Sequence, residues 1–189
     1  MSASRAAVYG FETKCHPDQQ LEAACLRMTP AEYVTALKRL GVGRFIVLRR
    51  RNYLRQLVSF EMGWRRGRWH VPAEETLEPQ AVAIDVACCG VGGVKRPVVA
   101  LFEQMDRVYR DTDNALGDQP TLRLWYEDHV EAHPREAYLR IAAYLGLTPI
   151  DPKPRYARTN PGSLSQVVTN HAEVEDALRG TPYAWMAME

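Results

Sequence analysis

Apolar and polar residues alternate along the chain in a way that predicts strands and helices in turn. Short apolar runs rich in β-forming residues predict strands at residues 6–14, 45–48 and 121–125. Apolar residues at helical spacing predict several helices, with a short one near the end. The predicted helices cover about residues 30–40, 52–67, 97–110, 134–145 and 173–179. Strands that alternate with helices favour an α/β fold, a parallel sheet with flanking helices.

Capping and turn residues mark where some of these helices begin and end. Thr29, Pro30 and Glu32 fit a capping box with proline at the first helical position, so a helix is expected to begin here. Residues 111–114 read Asp-Thr-Asp-Asn, and this composition predicts a turn directly after the helix at 97–110.

Three consecutive arginines follow the second predicted strand. The apolar run 45–48 is expected to be a buried strand, and Arg49, Arg50 and Arg51 then precede a helix that begins near Asn52. Ligands of open α/β sheets bind at the carboxyl ends of strands, beside helix N-termini that favour anions. Guanidinium groups add bidentate donors suited to phosphate. The segment therefore predicts an anion site, although a solvated basic turn fits the same residues.

The spacing of Arg51, Asn52 and Ser59 resembles the 3′-phosphate-binding segment of sulfotransferases that use 3′-phosphoadenosine-5′-phosphosulfate (PAPS). In that family a strand ends in Arg-(Asn/Asp), and a serine follows eight residues after the arginine. The resemblance implies that Arg51 and Ser59 contact the 3′-phosphate of the nucleotide.

Two later segments extend this resemblance. Tyr126-Glu127-Asp128 follows the third predicted strand, as a similar Tyr-Glu-Asp does in the family, and the resemblance implies that Tyr126 lies near the adenine. The run 156–183 is similar to the C-terminal tail of bacterial sulfotransferases, in which Arg158 would reach the nucleotide. Taken alone, the acidic pair also fits a cap for the next helix, and Arg158 also fits a solvated loop.

The family's 5′-phosphosulfate loop has no counterpart in the sequence. Such a loop wraps the phosphosulfate with backbone N–H groups near the start of the fold. No Gly-x-x-x-x-Gly-Lys-(Ser/Thr) occurs, and residues 89–96 lack both its spacing and its hydroxyl residue. The resemblance therefore implies a P-loop-like sulfotransferase fold that is shortened at its N-terminus, unless the phosphosulfate is held differently or sulfate is no longer transferred.

The predicted first strand carries the candidate catalytic residues. In relatives a histidine or glutamate base lies on or just after the strand that here spans residues 10–16. His16 is the first candidate because its pKa suits a base, although an exposed loop histidine fits the position equally well. Glu12 is the second candidate, and Lys14 takes the usual place of the family's histidine or contacts the sulfate.

Length and charge fit a single domain with a local anion site. A chain of 189 residues predicts one domain over 1–189, whose tail at 150–189 packs back on it. The formal net charge is +1, and arginines concentrate between residues 44 and 68. This pattern favours a small anionic ligand over nucleic acid, which would require a continuous basic face.

Other features exclude several classes of protein. The four cysteines, at positions 15, 25, 88 and 89, have no metal-binding spacing, so no metal is expected. The sequence shows no secretory segment and no apolar stretch long enough to cross a membrane, which predicts a cytoplasmic protein with reduced thiols. The missing Gly-Lys-(Ser/Thr) argues against a P-loop kinase or nucleotide hydrolase.

Together these observations predict a sulfotransferase that moves a sulfuryl group from PAPS to a hydroxyl or amine of a small-molecule or glycan acceptor. The alternative is a catalytically impaired protein of the same fold that serves as a nucleotide-binding or protein-interaction module. The sequence defines neither the acceptor nor the oligomeric state.

Overall fold

The structure is a computed structural model that describes residues 8–14, 26–75, 78, 80–91, 94–151, 155–156 and 162–188. Within these residues two strands and six α-helices follow one another along the chain. They are α1 (Pro30–Arg39), β1 (Phe45–Arg49), α2 (Tyr53–Arg66), α3 (Val98–Leu116), β2 (Thr121–Trp125), α4 (Pro134–Leu145), α5 (Leu164–Val167) and α6 (His171–Leu178). A π-helical turn at Tyr126–Glu131 follows β2, and a 3₁₀ turn at Ala184–Ala187 ends the described chain.

The two strands pair in parallel, from Phe45 opposite Thr121 to Arg49 opposite Trp125. Their connection runs through α2 and α3, as a parallel pair requires a long crossover. The predicted α/β fold with a parallel sheet and flanking helices is therefore confirmed in a small, two-stranded form. Because parallel strands run the same way, the segments that follow β1 and β2 leave the sheet at the same edge.

The first predicted strand is wrong over residues 8–14, the part of it that the structure describes. This segment forms no strand there, and a hydrogen bond joins its Thr13 Oγ1 to the Tyr33 hydroxyl of α1 at 2.5 Å. Tyr9 and Phe11 are mostly exposed and contact each other, with ring centroids 6.4 Å apart. An alternating pattern becomes a strand only where a neighbour offers a hydrogen-bonding ladder, and this segment packs beside α1 instead.

The expectation that residues 45–48 form a fully buried strand is also wrong. In β1 the side chains of Ile46 and Leu48 are 40% and 53% exposed, whereas Leu124 on the paired strand is buried. α4 contacts β2, the strand on which Leu124 lies. A parallel strand is buried on both faces only when other elements cover both, and that condition is met for neither strand, since Arg123 of β2 is exposed as well.

α3 continues through the turn that was expected at residues 111–114 and ends at Leu116. Thr112 and Leu116 are buried on the helix face that also carries Val108, and the Thr112 hydroxyl donates to the Val108 carbonyl at 2.7 Å. Packing of this face outweighs the turn propensity of the short polar residues, which is a weak local preference.

Asp113 of α3 holds the helix against both strands. Its carboxylate accepts from Arg49 of β1 at 2.8 Å and from Arg123 of β2 at 3.2 Å. The hydrogen bond from Arg49 is the main reason why the pKa of Asp113 lies below its usual value.

Asp113→Asn should therefore weaken the fold at neutral pH and flatten its acid sensitivity. A lowered pKa in the folded state stabilises the protein above the pKa of the unfolded chain, and this stabilisation is lost as the pH falls through the folded value. Solvent exposure limits the loss at pH 7 to about 1 kcal/mol. Urea unfolding between pH 2 and 7 measures both effects, with Asp111→Asn as the control on the same helix. Parallel pH profiles for the wild type and Asp113→Asn would contradict the assignment.

The core lies between α2, α3 and the C-terminal segments. Its buried side chains include Leu54, Leu57, Met62, Ile84, Phe102, Met105, Leu164, Val174, Leu178 and Tyr183. Asp106 of α3 links α2 to the C-terminal segment. Its carboxylate accepts from the hydroxyls of Tyr53 at 2.7 Å and Tyr183 at 2.6 Å. Burial, with the nearby Asp106 carboxylate, raises the pKa of both tyrosines. No helix within the described ranges is long and apolar enough to cross a membrane.

Candidate anion-binding site

The parallel register of the sheet brings two charged segments together. Arg50 and Arg51 follow β1, and Tyr126, Glu127 and Asp128 follow β2. We call these five residues the strand-end site. Arg51 and Glu127 are 76 positions apart in the sequence, yet they are joined by hydrogen bonds. The expectation that the arginines lie where the strand turns into a helix is confirmed, because β1 ends at Arg49 and α2 begins at Tyr53.

Glu127 binds the backbone N–H groups that directly precede α2. Its carboxylate accepts from the backbone N–H of Arg51 at 3.0 and 3.1 Å and from that of Asn52 at 3.1 Å. These N–H groups belong to the class of helix N-terminal donors that bind anions in other proteins. Here a carboxylate of the chain itself satisfies both groups, so these two N–H groups are not open to an external anion.

Arg51 forms a bidentate ion pair with Asp128. Its Nη1 and Nη2 atoms donate to the two carboxylate oxygens at 2.5 and 2.6 Å, and the guanidinium carbon lies 4.9 Å from the centre of the Trp125 ring. These hydrogen bonds raise the pKa of Arg51 and lower that of Asp128. The Arg51 side chain is 44% exposed, so the pair is open to solvent. The guanidinium thus presents its bidentate face to an oxyanion, here a carboxylate.

Arg50 has different surroundings. Its guanidinium carbon lies 4.5 Å from the centre of the Tyr126 ring, and its Nε atom is 3.8 Å from Glu127 Oε1. Among the described residues no acceptor lies within hydrogen-bond distance of this Nε. The side chain is 18% exposed, and this burial lowers the pKa of Arg50. Tyr126, which was expected near an adenine, here stacks on a guanidinium.

Ser59 is not joined to Arg51 by any hydrogen bond seen among the described residues. It lies in α2 and is half-buried. The α-helical rise of about 1.5 Å per residue places it roughly 10 Å along the axis from Asn52.

Two of the three candidate catalytic residues lie in the described part of the chain, in the segment before α1. Glu12 and Lys14 are exposed on the segment beside α1. Their neighbours Phe11 and Thr13 line a cavity of about 640 Å³ that also touches the first three residues of β1. This cavity lies toward the amino-terminal end of the strand, whereas Arg51 follows its carboxyl end. His16 and Arg158 lie outside the described residues.

Two contributions to this site were missed by the sequence interpretation. Arg50 was not singled out from its neighbours, and the carboxylates of Glu127 and Asp128 were given a possible capping role but no contact with the arginines. The signal was nevertheless present, because consecutive arginines end one predicted strand and consecutive carboxylates end another. If the two strands are adjacent and parallel, these charges must meet.

The described part of the chain holds no cluster of three or more metal-ligating side chains. The strand-end site itself consists of guanidinium groups, carboxylates and a phenol ring. Comparison of the chain with protein-family models, with curated proteins and with solved structures found no match.

Proposed function

We propose that the protein is a PAPS-dependent sulfotransferase whose strand-end site binds the 3′-phosphate end of the nucleotide. The acceptor is a hydroxyl or amine of a small molecule or glycan. One observation carries the proposal: the two segments that resemble the family's nucleotide-binding residues end parallel strands side by side. The segments are separated by α2 and α3 in the sequence, so their meeting depends on the fold.

The donor set of the site fits a phosphate monoester. Arg51 already holds an oxyanion in bidentate geometry, and Arg50 adds a second, buried positive charge. Guanidinium forks match phosphate oxygens as they match carboxylates. Tyr126 offers a ring face at the same place, on which a base can stack if the Arg50 side chain moves aside.

In the proposed reaction, PAPS supplies the sulfuryl group. The bond between its sulfur and the bridging oxygen of the 5′-phosphate breaks, and the acceptor oxygen or nitrogen forms the new bond to sulfur. A base of the chain removes the acceptor proton, with His16 as the first candidate and Glu12 as the second. Arginines 50 and 51 act by positioning the nucleotide.

A second candidate function is nucleotide binding without transfer. It is favoured by the position of Glu12 and Lys14, which lie beside α1 rather than next to the strand-end site. Incubation with labelled PAPS and a panel of hydroxylated acceptors separates the two functions. Labelled product supports the transferase, whereas bisphosphate binding without product supports the binding module.

Arg51→Ala should abolish the thermal shift that adenosine 3′,5′-bisphosphate gives at a hundred times its wild-type dissociation constant, while the fold is retained. A ligand at a hundred times its dissociation constant stabilises a protein by about 2.7 kcal/mol, which a thermal shift detects readily. The matched control is Arg68→Ala, because Arg68 forms a similar exposed bidentate pair with Glu75, at 2.9 and 2.8 Å, but lies outside the strand-end site. An Arg51→Ala protein that keeps the full shift would refute the proposed site.

A further inference from the structure

Arg50 and Arg51, the two arginines of the strand-end site, have different partners. Arg51 is bound through both Nη atoms to Asp128, at 2.5 and 2.6 Å. The nearest carboxylate recorded for Arg50 is that of Glu127, at 3.8 Å, which is beyond hydrogen-bond distance, and Glu131 also acts on its charge. The Glu127 carboxylate is already used by two backbone N–H groups. Arg50 therefore carries a charge that no carboxylate of the described chain pairs by a hydrogen bond.

This arrangement is costly for a structural arginine. The side chain is largely buried, at 18% exposure, and its Nε atom has no acceptor among the described residues. A buried donor without a partner loses the free energy of its hydration without compensation. The Tyr126 ring offsets part of this cost by a cation–π contact. The Nε donor of Arg50 is therefore left without an acceptor from the described chain.

We infer that Arg50 receives the oxyanion of the ligand and that Asp128 competes with this oxyanion for Arg51. In the structure Asp128 occupies the bidentate face of Arg51; when a phosphate binds at Arg50, it replaces Asp128 and is shared by both guanidiniums. The identity of the ligand, an adenine nucleotide with a 3′-phosphate, rests on the proposed function. The competition requires only a phosphate-type oxyanion.

The charges of the groups explain why a phosphate can displace Asp128. A carboxylate has a single negative charge and two oxygens, both of which are committed to Arg51. A phosphate monoester is close to a dianion at neutral pH and has three oxygens, so it can satisfy both guanidiniums at once. The Arg51–Asp128 pair is also nearly half exposed, and exposed ion pairs are weak.

Asp128→Asn tests the competition. It should tighten the binding of adenosine 3′,5′-bisphosphate and of inorganic phosphate by about tenfold, because a charge-assisted bidentate pair no longer has to be broken. The control is Glu75→Gln, which removes the same charge from the bidentate pair of Arg68. Titration calorimetry gives the dissociation constants. Equal constants for Asp128→Asn and Glu75→Gln would overturn the competition.

A double-variant cycle separates competition from simple repulsion between Asp128 and the ligand. If Asp128 acts by occupying Arg51, its replacement should have little effect once Arg51 is gone. Arg51→Ala and Arg51→Ala/Asp128→Asn should therefore bind phosphate with equal affinity. A difference of about tenfold between these two variants would show that Asp128 acts through space and would overturn the inference.

Replacement of Arg50 tests whether its side chain binds the oxyanion of the ligand. Arg50→Gln should weaken phosphate binding by about tenfold to a hundredfold, since it removes a charge-assisted contact. Arg50→Lys keeps the charge but loses the planar fork, and about a tenfold loss is expected. This milder variant keeps the test decisive if Arg50→Gln does not fold. Unchanged affinity in Arg50→Lys, or in a folded Arg50→Gln protein, would overturn the assignment.

The two ligands distinguish this inference from the proposed function. If both bind and both respond to these substitutions, but the nucleotide has no advantage over inorganic phosphate, the inference holds and the nucleotide assignment fails. If the nucleotide binds much more tightly but neither Arg50 nor Asp128 affects it, the proposed nucleotide binding holds and the inference fails. Lack of binding by either ligand, in the wild type and in Asp128→Asn, overturns both.

Discussion

Phe102→Ala should lower the free energy of unfolding by about 3–5 kcal/mol, the range for large aromatic truncations in a core. The ring of Phe102 is fully buried in α3 and packs edge-on against Tyr53 and Tyr183, with centroids 5.7 and 5.4 Å away. Its loss leaves a cavity where α2, α3 and the C-terminal segment meet. Both tyrosines are fixed at their hydroxyl ends by Asp106, so they cannot easily move to fill the space.

Urea unfolding followed by circular dichroism measures this loss. Phe11→Ala is the matched control, because the same truncation is made at a side chain that is 55% exposed, where about 0.5 kcal/mol or less is expected. Each kcal/mol corresponds to about 2–4 °C in Tm for a chain of this size. Similar losses for the two variants would mean that Phe102 is not at the centre of the core.

Asn52→Ala should cost about 2–4 kcal/mol, which is unusually large for the loss of one amide. Asn52 is almost completely buried, although it begins a helix. Its Oδ1 accepts from the Arg55 N–H at 2.9 Å, and its Nδ2 donates to the Met186 carbonyl at 2.9 Å. The first contact is an N-cap, worth about 1 kcal/mol, and the second leaves a carbonyl without its donor when removed.

Asn52→Asp divides this effect into its two parts. Aspartate is as good an N-cap as asparagine, but it places a carboxylate oxygen where the amide donated to the Met186 carbonyl. We therefore expect Asn52→Asp to be at least as destabilising as Asn52→Ala at neutral pH. Asn114→Ala, at a less buried position of α3, should change stability by about 0.5 kcal/mol or less. If Asn52→Asp keeps the stability of the wild type, the contact with Met186 contributes nothing.

Asn52 contributes both to the stability of the fold and to the geometry of the strand-end site. It lies next to Arg51, its backbone N–H donates to Glu127, and its side chain reaches the end of the described chain. The position of Arg51 is therefore set by β2, through Glu127, and by the C-terminal segment, through Asn52. A substitution at either contact should alter anion binding through the position of this backbone.

Features that depend on local sequence were predictable. The capping box at Thr29 is present as expected, and it involves side chains within three positions of the cap. The helix expected near Asn52 begins at Tyr53. The strand at Thr121–Trp125 was also placed correctly, because a β-rich run between turn residues leaves few alternatives.

Features that depend on tertiary partners were not predictable. Residues 8–14 have the pattern of a strand but pack beside α1, and residues 111–114 have the composition of a turn but continue α3. The exposure of Ile46 and Leu48 follows from which helices cover the sheet. A local pattern cannot report these partners.

In the strand-end site, too, local features were predictable and tertiary contacts were not. The position of Arg51 between strand and helix followed from the sequence, whereas its pairing with Asp128 required the register of the two strands. Arg50 could not be distinguished from Arg51 by residue type. Burial on Tyr126 and the absence of a hydrogen-bonded carboxylate within the described chain are what separate them.

Titration calorimetry of adenosine 3′,5′-bisphosphate and of adenosine 5′-monophosphate against the wild-type protein and Arg51→Ala tests the central claim most directly. We predict that the bisphosphate binds to one site on the wild-type protein and that the monophosphate binds at least about tenfold more weakly, since it lacks the 3′-phosphate. Arg51→Ala should remove this difference. Equal binding of the two nucleotides to the wild-type protein, or a difference that persists in Arg51→Ala, would contradict a 3′-phosphate site at the ends of these strands.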